Sequence, residues 1–213
     1  MNKKTTKKIQ ISKTAASLYL RNPRFTMQAL AEESAIDKKE IFDYFSNRRD
    51  VLNFFYEGIM LEYRSSVAAI ENYSSYSLSE KLSNLALALI DLMNPNKEFV
   101  RKTYTEFVQC TSRSKEFNTL FIEDLKRIYS TDSKQSRLSQ ALNNKLLYKA
   151  GLTNFHLLIR FWLKDKSAGN QKTMELVDKW TSFVQELHYS SILDRGFDVA
   201  KFLYYNSPFS PSN

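Results

Sequence analysis

Apolar residues recur along this chain at the three-and-four spacing of helices almost from end to end. In the first such stretch Ile11, Ala15, Leu18 and Tyr19 line one face, and Asn22-Pro23 stops it. Met1 to about Thr6 precedes the pattern and reads as a solvated, disordered tail. Thr26 can cap a short helix running to about Ser34, with Met27, Leu30 and Ala31 inward. Asp37-Lys38-Lys39-Glu40 has the form of a capping box and opens a helix of about eight residues. That helix ends near Phe45. Asn47 and Asp50 repeat the start signal and open a long helix from Arg48 to about Ile70.

After the Ser/Tyr-rich break at Asn72–Ser77, longer helices are expected at about 78–93, 97–112, 115–130, 136–149, 153–167, 171–193 and 198–206. The breaks come from Asn94-Pro95-Asn96, Ser112–Ser114, Ser130–Lys134, Gly151, Ala168-Gly169-Asn170 and Arg195-Gly196. The fold class is therefore all-α. Residues 1–47 form a small head with a basic N-terminal arm, 48–206 a larger helical body, and 207–213 a flexible tail.

Composition narrows the chemistry. The 213 residues include only 4 Gly and 4 Pro, and no Gly occurs before Gly58, which speaks against folds that cradle phosphates in glycine-rich turns. A single cysteine, Cys110, excludes a disulfide within the chain. Two isolated histidines leave little for a metal site, so no metal or cofactor is expected. No apolar run approaches the ~18 residues of a membrane span, so no membrane partner and a cytoplasmic location are expected.

Charge is uneven. Seven of the 31 basic residues lie at or before Arg24, and the first acid is Glu32, so +7 of the net +8 sits in the first 24 residues. A polyanion partner at that end is implied. Two short helices joined by Ala35-Ile36-Asp37 form a helix-turn-helix pattern. On a helical wheel Ile41, Phe42 and Phe45 share the core side, while Lys39, Glu40, Asp43 and Tyr44 face outward. Lys39 and Tyr44 suit contacts to base edges in a DNA major groove, and Glu40 could accept from a cytosine amino group.

Residues from about Ile11 to Leu52 resemble the DNA-binding domain of the TetR family of bacterial transcriptional regulators. The likeness rests on the first-helix pattern, Phe25-Thr26 with Leu30-Ala31, the turn Ser34-Ala35-Ile36-Asp37, the run Ile41 to Phe45, and Asn47-Arg48 followed by Asp50 and Leu52. It implies that Thr26 caps the second helix and touches a phosphate with Gln28 beside it. Lys38, Lys39 and Glu40 would occupy the reading start of the third helix. Tyr44 and Arg48 would meet the DNA backbone. The family's usual turn glycine is Ala35 here, its phosphate-binding Tyr is Phe42, and Asp43 adds a negative charge near the DNA.

The resemblance also implies a homodimer on a double-stranded operator, released by a small apolar or amphiphilic effector: a ligand-responsive regulator, most simply a repressor, and not an enzyme. In the body, Tyr104, Phe107, Phe121, Phe155, Ile159 and Trp162 are the candidate effector pocket, against the alternative of ordinary aromatic core. Cys110 and His156 read as core residues. Val177, Trp180, Val184, Leu187 and Ser191 alternate at three and four and form the candidate dimer seam. The competing function is an all-helical small-molecule-binding protein or enzyme whose basic N-terminus binds membranes or nothing. Against it, only Asp194 and Asp198 show a metal-aspartate spacing, with Gly196 between them, and there is no Glu-x-x-His pair.

Overall fold

The structure is a computed structural model that describes residues 1–109, 115–132, 145–190, 198, 199 and 202. Its first helix, α1, spans Lys3–Arg21. The expected N-terminal tail is thus already helical. Asn2 is the cap, its side chain accepting from the Thr5 N–H at 2.8 Å. Then come α2 (Met27–Ser34), α3 (Lys38–Tyr44), α4 (Arg48–Val67), α5 (Leu78–Met93), α6 (Lys97–Tyr104), α7 (Lys115–Ser130), α8 (Lys145–Lys164) and α9 (Gln171–Tyr189). Among the described residues there is no strand.

The caps follow the sequence signals closely. Thr26 accepts from the Ala29 N–H at 3.1 Å, and Asn47 accepts from the Asp50 N–H at 3.1 Å. Ser77 and Glu80 close a complete capping box on α5. Asp37 accepts from the Lys39 N–H at 2.8 Å, but Glu40 turns elsewhere, so the box expected there is only half built. α3 ends at Tyr44, and α4 ends at Val67, three residues before the expected end.

Gly151 is not a break. It lies inside α8, where a Cβ would sit 2.7 Å from Leu125 Cδ1, so it lets α7 and α8 approach. A run predicted as two helices, 136–149 and 153–167, is therefore one helix over the described part, ending at Lys164. Residues 133–144 and 110–114, with Cys110, lie outside the described residues, as do Ser191, Asp194, Gly196 and the tail 207–213. Of the helix expected at 198–206 only 198, 199 and 202 are described, all helical.

Buried residues from Ile9 in α1 to Val177 in α9 form one continuous core. α1 lies along α4, and Gly58 is their point of close approach, since a Cβ there would be 3.1 Å from Ile9 Cγ1. α4 also packs on α5 and α7, so it belongs to head and body alike. α6 runs into a π-helical turn, Thr105–Gln109, which brings Glu106 and Phe107 back to the head. There Arg49 meets Glu106 at 3.1 Å and lies 5.8 Å over the Phe107 ring.

Candidate DNA-binding head and helical body

The turn between α2 and α3 is a Schellman closure. The Ile36 N–H donates to the Ala31 carbonyl and the Ala35 N–H to the Glu32 carbonyl, at 3.1 and 3.2 Å. Ala35 sits at φ 52°, ψ 40°. This left-handed conformation costs an L-residue roughly 1–2 kcal/mol relative to glycine's easy access to it.

α3 is rotated relative to the wheel expectation. Ile41 and Phe45 are buried, but Phe42 is 46% exposed and does not face the core. The cause lies in α1. Lys7 donates to the Glu40 carboxylate, which also accepts from the Tyr44 hydroxyl at 3.3 Å, and Lys4 lies 5.9 Å over the Tyr44 ring. This hydrogen bond to Glu40 pushes the Lys7 pKa up. Glu40 and Tyr44 are thus half-buried toward α1. The outward face of α3 carries Lys38, Lys39, Phe42 and Asp43 instead.

The basic head is also less free than its charge suggests. Lys7 pairs with Glu40, Lys13 with Glu62 at 2.7 Å, and Arg21 with Glu33 at 2.6 Å. Lys8 stands 3.9 Å over Phe54 and 5.2 Å over Phe45, a cation–π clamp between α1 and the start of α4. Gln28 is exposed and donates to Glu32 at 2.9 Å. Arg48 is half-buried over Phe25, whose carbonyl it reaches at 3.4 Å.

In the body, Tyr104, Phe107, Phe121, Phe155, Ile159 and Trp162 are all buried. Phe121 packs on Phe155 with ring centroids 4.6 Å apart and on Phe117 at 6.2 Å, and Tyr56 lies against Phe99, Tyr104 and Phe117. These rings fill the interior rather than line an open chamber. Phe107 borders a cavity of about 250 Å³, between α1, α4 and α7.

The Tyr104 hydroxyl and His156 Nδ1 share a hydrogen bond of 2.9 Å. Burial, with a smaller push from Arg160, holds His156 down at about 4 against an ordinary value of 6.5. The unfolded chain therefore takes up this proton first as pH falls. Stability is expected to decline from about pH 6.5 to about pH 4, and melting curves across that range should show a shallower slope for His156→Phe. His188, also lowered by burial, acts in the same direction and remains in the variant.

The proposed seam divides between two environments. Val177 is fully buried in the chain's own core, next to Thr181, which bonds Ser79 and Ser83 of α5 at 3.1 and 2.8 Å. Trp180 and Val184 are half-buried, and Leu187 is exposed. The outward apolar face is built by Leu176, Phe183 and Leu187 of α9 with Leu157 and Phe161 of α8. Sequence spacing missed Phe183, Leu157 and Phe161, although all three recur at helical intervals.

The described residues thus form an all-α fold with a helix-turn-helix at one end and an aromatic helical body behind it. Residues 81–203 match the family profile "Tetracyclin repressor-like, C-terminal domain". The chain belongs to the TetR family and is a transcriptional regulator. Among solved structures it is similar to AlkX, a TetR family repressor from Dietzia sp. strain DQ12-45-1b implicated in biodegradation of n-alkanes. The identity is 17%, the match covers 84% of this chain and 95% of that one, and the TM-score is 0.46. No curated protein sequence matches the chain. Among the described residues no helix is long and apolar enough to cross a membrane, and no group of His, Cys, Asp and Glu could hold a metal ion.

Proposed function

We propose that this regulator is a cytoplasmic homodimer that binds double-stranded operator DNA sequence-specifically and represses until a small apolar or amphiphilic effector releases it. It carries no enzymatic step in this reading. The observation that carries it is the outward face of α3, where Lys38 and Lys39 stand exposed in the first turn with Phe42 one turn on. Lysine in that position reaches guanine acceptors, and an exposed ring can lie on a thymine methyl. Thr26, Gln28 and Arg48 supply backbone contacts that place the helix without reading sequence. Glu40 and Tyr44 act indirectly, holding α3 to α1. Leu187 and half-buried Trp180 and Val184 join Phe183 in the dimer contact, and Val177 supports it from within.

Gel-shift titration on DNA from the protein's own upstream region tests this. Affinity should fall steeply with salt, as counterion release requires. Lys39→Ala should relax discrimination at one base by about 1–3 kcal/mol, whereas Arg48→Ala should weaken all sequences evenly. Absence of specific retardation on any upstream fragment would remove the operator claim at that locus.

A further inference from the structure

A cavity of about 190 Å³ lies between the C-terminal turns of α4, the Tyr73–Ser75 turn, α5 and α7. Its floor carries Lys81, a residue only 4% exposed. The Lys81 ammonium donates to the Ser74 carbonyl at 3.2 Å and forms no ion pair among the described residues. Buried charges are ordinarily paired, because an isolated one forfeits its hydration without return.

The neighbouring carboxylates are already committed. Arg64 Nε donates to both oxygens of Asp124 at 3.1 and 2.9 Å, and its terminal nitrogen reaches Glu123 and the Leu120 carbonyl at 3.0 Å each. Arg127 adds a second cation on Asp124 at 3.2 Å. Three cations thus face two carboxylates, and the one without a counterion is Lys81. The hydroxyls of Tyr63 and Tyr73 meet at 3.5 Å on the same cavity, and Val67 and Ile128 form an apolar wall.

We infer that this cavity binds a small organic monocarboxylate, its carboxylate on the Lys81 ammonium and a tyrosine hydroxyl, its hydrocarbon part against Val67 and Ile128. The aromatic cluster of the interior is closed by its own rings, whereas this cavity combines an unpaired cation with apolar surface. A bare inorganic anion would satisfy Lys81 but leave the apolar wall wet. The inference rests on the reading of the body as an effector-binding domain, and it assigns that role a chemical class and a place.

The test uses the full chain and thermal-shift titration with sodium hexanoate and sodium benzoate, against hexanol and benzyl alcohol and against sodium phosphate at matched sodium. A ligand of the native state raises Tm with concentration. Hexanoate or benzoate should raise it, and the alcohols and phosphate should not. Lys81→Met and Lys81→Gln should both fold, since each removes an uncompensated buried charge, and both should weaken the acid response at least ~10-fold, the factor that 1.4 kcal/mol of lost pairing gives. Lys81→Arg should retain part of it. A lysine that merely ties α5 to the Ser74 carbonyl would leave the acid response unchanged in both variants, which overturns the inference. So would no response to either acid, or an equal response to phosphate.

Gel shifts separate this from the wider reading. Acid binding that depends on Lys81 but leaves DNA affinity untouched keeps the site and removes its effector role. Release of DNA by other compounds, with no acid binding, keeps an effector-responsive body and removes this site.

Discussion

Phe183→Glu is expected to give a folded monomer whose operator affinity is lower by two orders of magnitude or more. Phe183 is 61% exposed and takes no part in the chain's own core. The substitution should therefore leave helix content intact. It lies on the outward face with Leu187, Leu157 and Phe161, and monomeric proteins seldom leave so continuous an apolar surface uncovered. A two-fold interface brings each residue close to its own copy or its neighbours, so one substitution introduces two carboxylates into the same apolar contact. DNA binding then loses its second half-site. Coupling two modules raises overall affinity by about 10²–10⁴, and a monomer forfeits that gain. Sedimentation would resolve the 24.9 kDa chain from its dimer, circular dichroism would verify folding, and gel shifts would read the DNA. A variant that stays dimeric and binds DNA normally would show that this face is not the subunit contact.

Phe121→Ala is expected to cost about 3–5 kcal/mol of stability, the loss typical of emptying a large buried aromatic site. Phe121 is buried in the stack with Phe117 and Phe155, contributed by α7 and α8. Phe117 in turn meets Tyr56 of α4, so the vacancy would open near the junction of three helices. Against a total stability of roughly 5–15 kcal/mol the loss is large enough to lower the urea midpoint decisively. Phe183→Ala, removing the same side chain from the surface, should change monomer stability little. A loss for Phe121→Ala below about 1 kcal/mol would mean that the neighbouring rings close the space, contrary to the expected rigidity of so dense a cluster.

These two phenylalanines illustrate what the sequence makes legible. Local signals carried the helix starts well: Thr26 and Asn47 each bond the backbone group that their position predicts, and α5 begins directly after the break that ends at Ser77. The limits of α5 and α7 follow from breaks that need no partner. The face of α3 does not. The seven-residue helix buries only Ile41, with Phe45 buried at its cap, and which face is left out depends on Lys7, 33 residues before Glu40. Gly151 misled for a related reason, because a glycine required by Leu125 on another helix looks the same in sequence as one required by a turn. The register of α9 shows the same gap: Val177 belongs to a spacing that suits a seam, yet α5 claims that side through Thr181. Lys81 left no trace in the pattern at all, since one lysine within the apolar stripe of α5 reads as a stem reaching for water. Only the surrounding turn shows that it ends in an enclosed space.

The single span of α4 has a mechanical consequence. Its 20 residues run from Arg48, beside the helix-turn-helix, to Val67, and Arg64 near that far end is gripped by Asp124 and Glu123 of α7. The straight stretch between Arg48 and Arg64 measures roughly 24 Å. Pivoting by about an eighth of a radian at the gripped end would carry the other end about 3 Å, close to the ~3.4 Å that separates successive bases along a strand. In a pair of such chains the displacement would occur on both sides of the DNA. A rearrangement smaller than a side chain at one end of the rod would thus be enough to put two reading helices out of step with the groove.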